Sequence, residues 1–138
     1  MKISQSRFTR YAISTLLISL PLLLHANALD ERMNSYQSQG AGPFSVEQGA
    51  ALWQQKVMHE KSGKNRSCQD CHGADLRKPG KHIKTGKTIE PLSVKVNPER
   101  FSDGKKIEKW FKRNCKWTWG RVCTAQEKGD ILDYLKQQ

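Results

Sequence analysis

Cys68, Cys71 and His72, within the run Cys68-Gln69-Asp70-Cys71-His72, are the residues whose types and spacing most directly imply chemistry. C-x-x-C-H is the attachment signature of c-type haem. Two thiols three positions apart can reach the two vinyl groups of one porphyrin. The next residue is then drawn beneath the iron, where an imidazole can bind it. Cys68 and Cys71 are therefore the expected covalent anchors, and His72 the expected proximal iron ligand. The motif occurs once, so one haem c is expected. Two other chemistries use paired cysteines. A zinc site would need Cys68, Cys71, Cys115 and Cys123, but seven residues separate the last two, more than the usual two to four within a zinc pair. A thioredoxin-like redox pair needs a βαβ setting that the chain lacks.

The other face of the iron needs its own ligand. Small cytochromes c ordinarily take a methionine well downstream of the haem motif, yet Met1, Met33 and Met58 all precede Cys71. His82 follows His72 by ten residues in a basic stretch, and its alternative is a solvated loop histidine. His59 lies close before the motif and could reach only by an unusual path. A lysine is possible, though most lysines are surface charges. Asn114 continues the stripe Ile107, Trp110 and Phe111 at i, i+3, i+4 and i+7, so it shares a helical face with apolar residues. It could equally be a helix C-cap, where asparagine tolerates the left-handed conformation. Position alone leaves both roles for Asn114 open.

The elements that must hold these residues read as helical. Leu29 to Gln39 can form a short helix, broken by Gly40-Ala41-Gly42-Pro43. Ser45 and Gln48 match a capping box, and Val46, Gly49, Ala50, Trp53 and Val57 form one stripe behind it. Glu60 to Ser67 is a polar loop. Ser102 or Asp103 can cap the helix that carries Asn114. Thr124 and Glu127 make a second capping box before Ile131, Leu132, Tyr134 and Leu135. Asp75 to Arg100 is long, rich in Lys, Gly and Pro, and aperiodic. Such a length needs something large to pack on, which a porphyrin plate would supply. No stretch alternates well enough to predict a strand. Pro91-Leu92 is like the Pro-Leu that follows the haem motif in many small cytochromes c, and its carbonyl is the candidate acceptor for the second N–H of His72.

Export is written at the N-terminus. Lys2, Arg7 and Arg10 precede the apolar run Ala12 to Leu24, and Ala26-Asn27-Ala28 is a small-x-small cleavage signal. Residues 1–28 are expected to be a cleaved signal peptide and 29–138 a single cytochrome c domain. The apolar run is too short to span a bilayer, which takes about 20 residues. Of 138 residues, 24 are Lys or Arg and 13 are Asp or Glu, a net charge of +11. Removing the leader's three basic residues leaves a net of +8. In an exported protein such an excess points away from nucleic acid and towards an acidic protein or membrane surface.

From Ser67 to the C-terminus the chain resembles the sphaeroides haem protein (SHP) family of bacterial monohaem cytochromes c. The matching pieces are SCQDCHGAD (67–75), TGKTIEPL (85–92), NPERFSD (97–103), IEKWFKRNC (107–115), GRVCT (120–124) and EKGDILDYL (127–135), in order. Leu29 to Lys64 matches only loosely, and no role is carried over to Trp117 and Trp119. The resemblance implies an all-α, small class I-like cytochrome c fold wrapped around one covalent haem. It implies that Asn114 is the sixth ligand and that Cys115 pairs with Cys123. A neutral, hard amide oxygen suits ferric iron better than ferrous iron. The family expectation is therefore that Asn114 leaves on reduction and a diatomic such as O2 or NO can bind. The disulfide is expected to fix the end of the helix that presents Asn114.

The function so implied is periplasmic electron transfer combined with ligand binding. The partners would be a dihaem cytochrome c and a membrane cytochrome b, and the protein a monomer, not integral to the membrane after cleavage and not binding nucleic acid. Alternatives are a gas-ligand sensor or scavenger, or an oxidoreductase acting on O2 or nitrogen oxides. No general acid or base is placed by the sequence, which ranks an electron carrier above a dedicated enzyme.

Overall fold

The computed structural model describes residues 27–138. The expected leader lies outside these residues except for Asn27 and Ala28. Among the described residues, five helices carry the fold. α1 (Ala28–Gln37) is capped by Asn27, whose side chain accepts from the Asp30 N–H at 2.9 Å. α2 (Val46–Gln54) starts at Ser45, whose hydroxyl accepts from the Gln48 N–H. The reciprocal half of that expected capping box does not form. The Ser45 N–H donates instead to the buried Asp130 carboxylate at 2.9 Å, a partner 85 residues away that local sequence could not reveal.

Two antiparallel ribbons depart from the strandless expectation. β1 (Val57–His59) pairs with β2 (Lys64–Arg66) in the register Val57↔Arg66 to His59↔Lys64. After the short α3 (Gln69–His72), β3 (Gly80–Lys81) pairs with β4 (Thr88–Ile89). These strands are two or three residues long, too short for period-2 alternation to register. The helical class stands. No helix among the described residues is long and apolar enough to cross a membrane.

α4 (Gly104–Trp119) is capped by Asp103, which accepts from the N–H groups of Lys105 and Lys106 at 2.8 and 3.1 Å. α5 (Ala125–Lys136) begins with the expected box of Thr124 and Glu127, both halves formed. The Arg121 guanidinium also holds the Glu127 carboxylate, at 2.6 and 2.8 Å.

Two apolar clusters share α4 and α5. Leu29, Tyr36, Ile107 and Leu132 join α1 to them. There the Tyr36 hydroxyl donates to the Glu108 carboxylate, which also pairs with Lys128 at 2.9 Å. Burial and that carboxylate push the phenol far above its usual range, keeping it a neutral donor. The second cluster contains Trp53, Leu76, Trp119, Ile131 and Leu135. Phe101 and Phe111 pack against both.

α2 packs directly on α5, and Gly49 permits the approach. A Cβ there would stand 2.0 Å from the Asp130 carbonyl oxygen and 2.7 Å from the Tyr134 Cβ. Gly49→Ala should therefore force the two helices apart and destabilise the holoprotein by about 1–3 kcal/mol. Denaturant unfolding followed by far-UV circular dichroism measures the loss, and wild-type stability would contradict this account of the contact.

Candidate haem site

Ser67 sets up the short helix that carries the haem motif. Its backbone N–H donates to Asp70 Oδ2 at 2.8 Å, and its hydroxyl accepts from the Asp70 N–H at 3.3 Å. This is a capping box in miniature, S-x-x-D, a signal present in the sequence and missed beside the more prominent C-x-x-C-H. Ser67 is fully buried. The turn places Cys68 and Cys71 one helical step apart and His72 beside them, and all three line a cavity of about 690 Å³. That volume is within the range of cofactor pockets, roughly 300–1,000 Å³.

The electrostatics separate the possible chemistries. Cys68 and Cys71 are not disulfide-bonded. Burial pushes the Cys68 thiol up to about 12, opposite to the depressed value of a redox-active thiolate. Cys115 is bonded to Cys123, which removes two of the four thiolates a zinc site would need. His72 is lowered to about 4, first by burial and then by the Arg100 charge. It is a neutral imidazole at physiological pH, with a lone pair to give a metal. The Trp53 ring leans on it at 5.2 Å between centroids.

The helix with Asn114 corrects one expectation. α4 does not end beside Cys115. Lys116, Trp117, Thr118 and Trp119 contain no breaker, so the helix runs on to Gly120. That glycine takes the left-handed C-cap (φ 73°) and its N–H returns to the Lys116 carbonyl. Asn114 is thus in the helix body, and the C-cap role belongs to Gly120. The whole expected stripe of Ile107, Trp110, Phe111 and Asn114 lines the cavity. The disulfide, with Cα atoms 5.7 Å apart, ties this last stretch of α4 to the residue before the α5 N-cap.

Other candidate ligands are placed as follows. His82 lines the cavity, and its Nδ1 accepts from the Thr85 N–H at 3.2 Å. His59 and the two described methionines, Met33 and Met58, are outside the cavity wall. Met58 is exposed, and Met33 packs in the α1 cluster. Of the long segment Asp75 to Arg100, Thr85, Lys87, Ile89, Leu92, Glu99 and Arg100 line the cavity, so the segment does wrap it. The Pro91 carbonyl already accepts from Asn97 Nδ2 and Arg100 Nε at 3.2 and 3.0 Å and receives no hydrogen bond from His72.

The wall suits a haem in three respects. It is mostly apolar, it carries two unbonded thiols beside a neutral imidazole, and it holds spare donors for carboxylates. The indole Nε1 atoms of Trp53 and Trp119 are buried without a partner. Arg100 makes no ion pair among the described residues. Buried donors left unpaired in a native wall point to a missing polar partner.

Known proteins agree with this geometry. The family model described as Domain of unknown function (DUF1924) matches residues 39–135. Cytochrome c-type protein SHP of Cereibacter sphaeroides is 36% identical over 132 residues, covering 94% of this chain and 99% of SHP. The chain belongs to the SHP family of c-type cytochromes. The structure of oxidized SHP, an oxygen-binding cytochrome c, superposes with a TM-score of 0.72 at 35% identity, covering 81% of this chain and 98% of that one. A solution structure of cytochrome c'' from Methylophilus methylotrophus, solved for insight into haem-ligand detachment, gives 0.68 at 31% identity, covering 80% and 93%. The SHP fold is therefore this chain's fold, an all-α cytochrome c architecture.

Within that fold Gly80 brings β3 against the haem motif. A Cβ at Gly80 would lie 2.3 Å from the Cys71 carbonyl oxygen and 2.9 Å from the His72 Cα. Gly80→Ala should displace α3 and lower the ratio of attached haem to protein, with the exposed neighbour Lys81→Ala as control. Equal haem content in the two variants would show that the close approach does not matter.

Proposed function

We propose that this protein is a periplasmic monohaem cytochrome c that transfers electrons and binds a small diatomic ligand when reduced. Cys68 and Cys71 hold the haem covalently, and His72 is its proximal ligand. Arg100 and the indole N–H groups of Trp53 and Trp119 supply donors for the haem carboxylates. The leader 1–28 is removed on export. When bound, the haem supplies an iron that changes oxidation state and can take an exogenous ligand.

Asn114 is the sixth ligand in this reading, and one observation carries it. The candidate ligands that line the cavity are Asn114, His82 and the exposed Lys87 and Lys106, and His82 is already engaged. A backbone N–H can only donate, so the bond from Thr85 makes Nδ1 of His82 an acceptor. The neutral ring then carries its proton on Nε2, which leaves neither nitrogen with a free lone pair. The Asn114 amide oxygen faces no such competition, since no hydrogen bond is formed to it among the described residues. An amide oxygen holds ferrous iron weakly, so Asn114 would be the group to yield its place when the bound haem is reduced. The oxygen binding named for SHP and the ligand detachment named for cytochrome c'' support the same behaviour here.

Electron partners, a dihaem cytochrome c and a membrane cytochrome b, would approach along the β3–β4 hairpin. Arg77 and Lys78 share Asp75 at 3.0 and 3.9 Å. Lys81, Lys84 and Lys87 are exposed with no ion pair among the described residues, and the exposed Ile83 stands among them. Three uncompensated cations around an apolar side chain suit an acidic protein with an apolar patch.

Asn114→Ala should alter the ligand-field bands of the oxidised optical spectrum and its magnetic resonance signature while ferrous carbon monoxide binding persists. A low-spin bis-histidine spectrum that survives the substitution would remove Asn114 from the iron. Reduction by an acidic donor should slow by about tenfold or more as salt screens the hairpin charges. A rate independent of ionic strength would exclude electrostatic docking there.

A further inference from the structure

Trp119 is a core residue, but Trp117 is not. It is half-buried and lines the cavity one helical step beyond Asn114. Two groups pin it. The Arg66 guanidinium carbon lies 4.2 Å from the indole centroid, and Arg66 Nη1 donates to the Trp117 carbonyl at 2.6 Å. Carbonyls in the last turn of a helix lack partners of their own, so one arginine both caps α4 and covers the indole. The His82 imidazole packs against the same ring at 5.4 Å between centroids, tilted by 52°. His82 is itself fixed by Thr85. The three side chains come from β2, the β3–β4 hairpin and α4.

Helical side chains lean towards the N-terminus and cover the turn before their own Cα. Residues i and i+3 are surface neighbours. Trp117 therefore lies over the turn that carries Asn114, and His82 extends the same surface onto the hairpin. Arg66 is not part of the cavity wall, so it supports Trp117 without occupying the ligand space.

We propose that Trp117, pinned by Arg66 and His82, is the wall that limits ligands at the Asn114 side of the cavity to diatomic size. This rests on the reading that Asn114 vacates the iron on reduction. The wall is a specificity-determining element: an indole gripped by a cation and a second ring cannot swing aside without losing both contacts, and the cation is itself held in place by the Trp117 carbonyl. Discrimination by size in an apolar pocket depends on such fixed surfaces, where one extra methylene changes binding by about 10- to 200-fold.

The test is equilibrium binding of carbon monoxide and of n-butyl isocyanide to the reduced holoprotein. Wild type should bind carbon monoxide and disfavour the isocyanide. Trp117→Ala should raise isocyanide affinity relative to carbon monoxide by about tenfold or more. Arg66→Gln should shift the ratio the same way by roughly 2- to 30-fold, through loss of the cation over the ring. General loosening of the fold would move both affinities together and leave the ratio alone. If wild type binds no carbon monoxide, the Asn114 reading fails and the wall with it. If carbon monoxide binds and the ratio is unchanged in both variants, only the wall is overturned. Should Trp117→Ala not fold, Arg66→Gln decides alone.

Discussion

The interior of this protein is organised around a space that its own side chains do not fill. α4 contributes Ile107, Trp110, Phe111 and Asn114 to its wall, α2 contributes Trp53, and α5 contributes Ile131 and Leu135. Trp53, Ile107, Ile131 and Leu135 are also buried in the two apolar clusters, whereas Trp110 and Asn114 are left exposed at a cavity of about 690 Å³, and covering them requires a large partner. The shape of the fold follows from that requirement. The long segment 75–100 has almost no regular structure because its apolar residues need only reach the cavity edge. The close contacts made possible by Gly49 and Gly80 set where the surrounding elements can stand.

α4 is the element that carries both the proposed ligand Asn114 and the proposed wall Trp117. Its start is fixed by Asp103 and its end by three independent restraints: Gly120 in the left-handed conformation, the Cys115–Cys123 disulfide and the Arg66 bond to the Trp117 carbonyl. A disulfide closing so short a loop contributes about 2–3 kcal/mol on chain-entropy reasoning. Its position has a further consequence, because Cys115 is the neighbour of Asn114. If Asn114 is the displaceable ligand proposed above, it benefits from a backbone that stays in place. The side chain of Asn114 can move while the helix beneath it is held at both ends.

The local features were legible because the sequence encodes them over a few residues. C-x-x-C-H, the Thr124–Glu127 box and the Ile107–Asn114 stripe each depend on backbone geometry within one or two turns, and each appears as read. Expectations failed where a partner beyond the local turn intervened. The Ser45 N–H went to Asp130, 85 residues away, and the Pro91 carbonyl to Asn97 and Arg100, six and nine residues on. Between the two roles open to Asn114 the helix end decides: Lys116 to Trp119 contain no breaker, so α4 runs on to Gly120, its stop signal.

Sequence by itself determined the haem motif, the helical class, the absence of a downstream methionine and the resemblance to the SHP family. These depend on residue identity and near spacing, which the chain carries openly. Tertiary structure decided that Asn114 faces a cavity, that His82 comes beside Trp117 at that cavity, and that Trp117 rests on Arg66. That last contact joins residues 51 apart in the chain. No local pattern records such a pairing, because it exists only once β2, the hairpin and α4 have been brought around the same space.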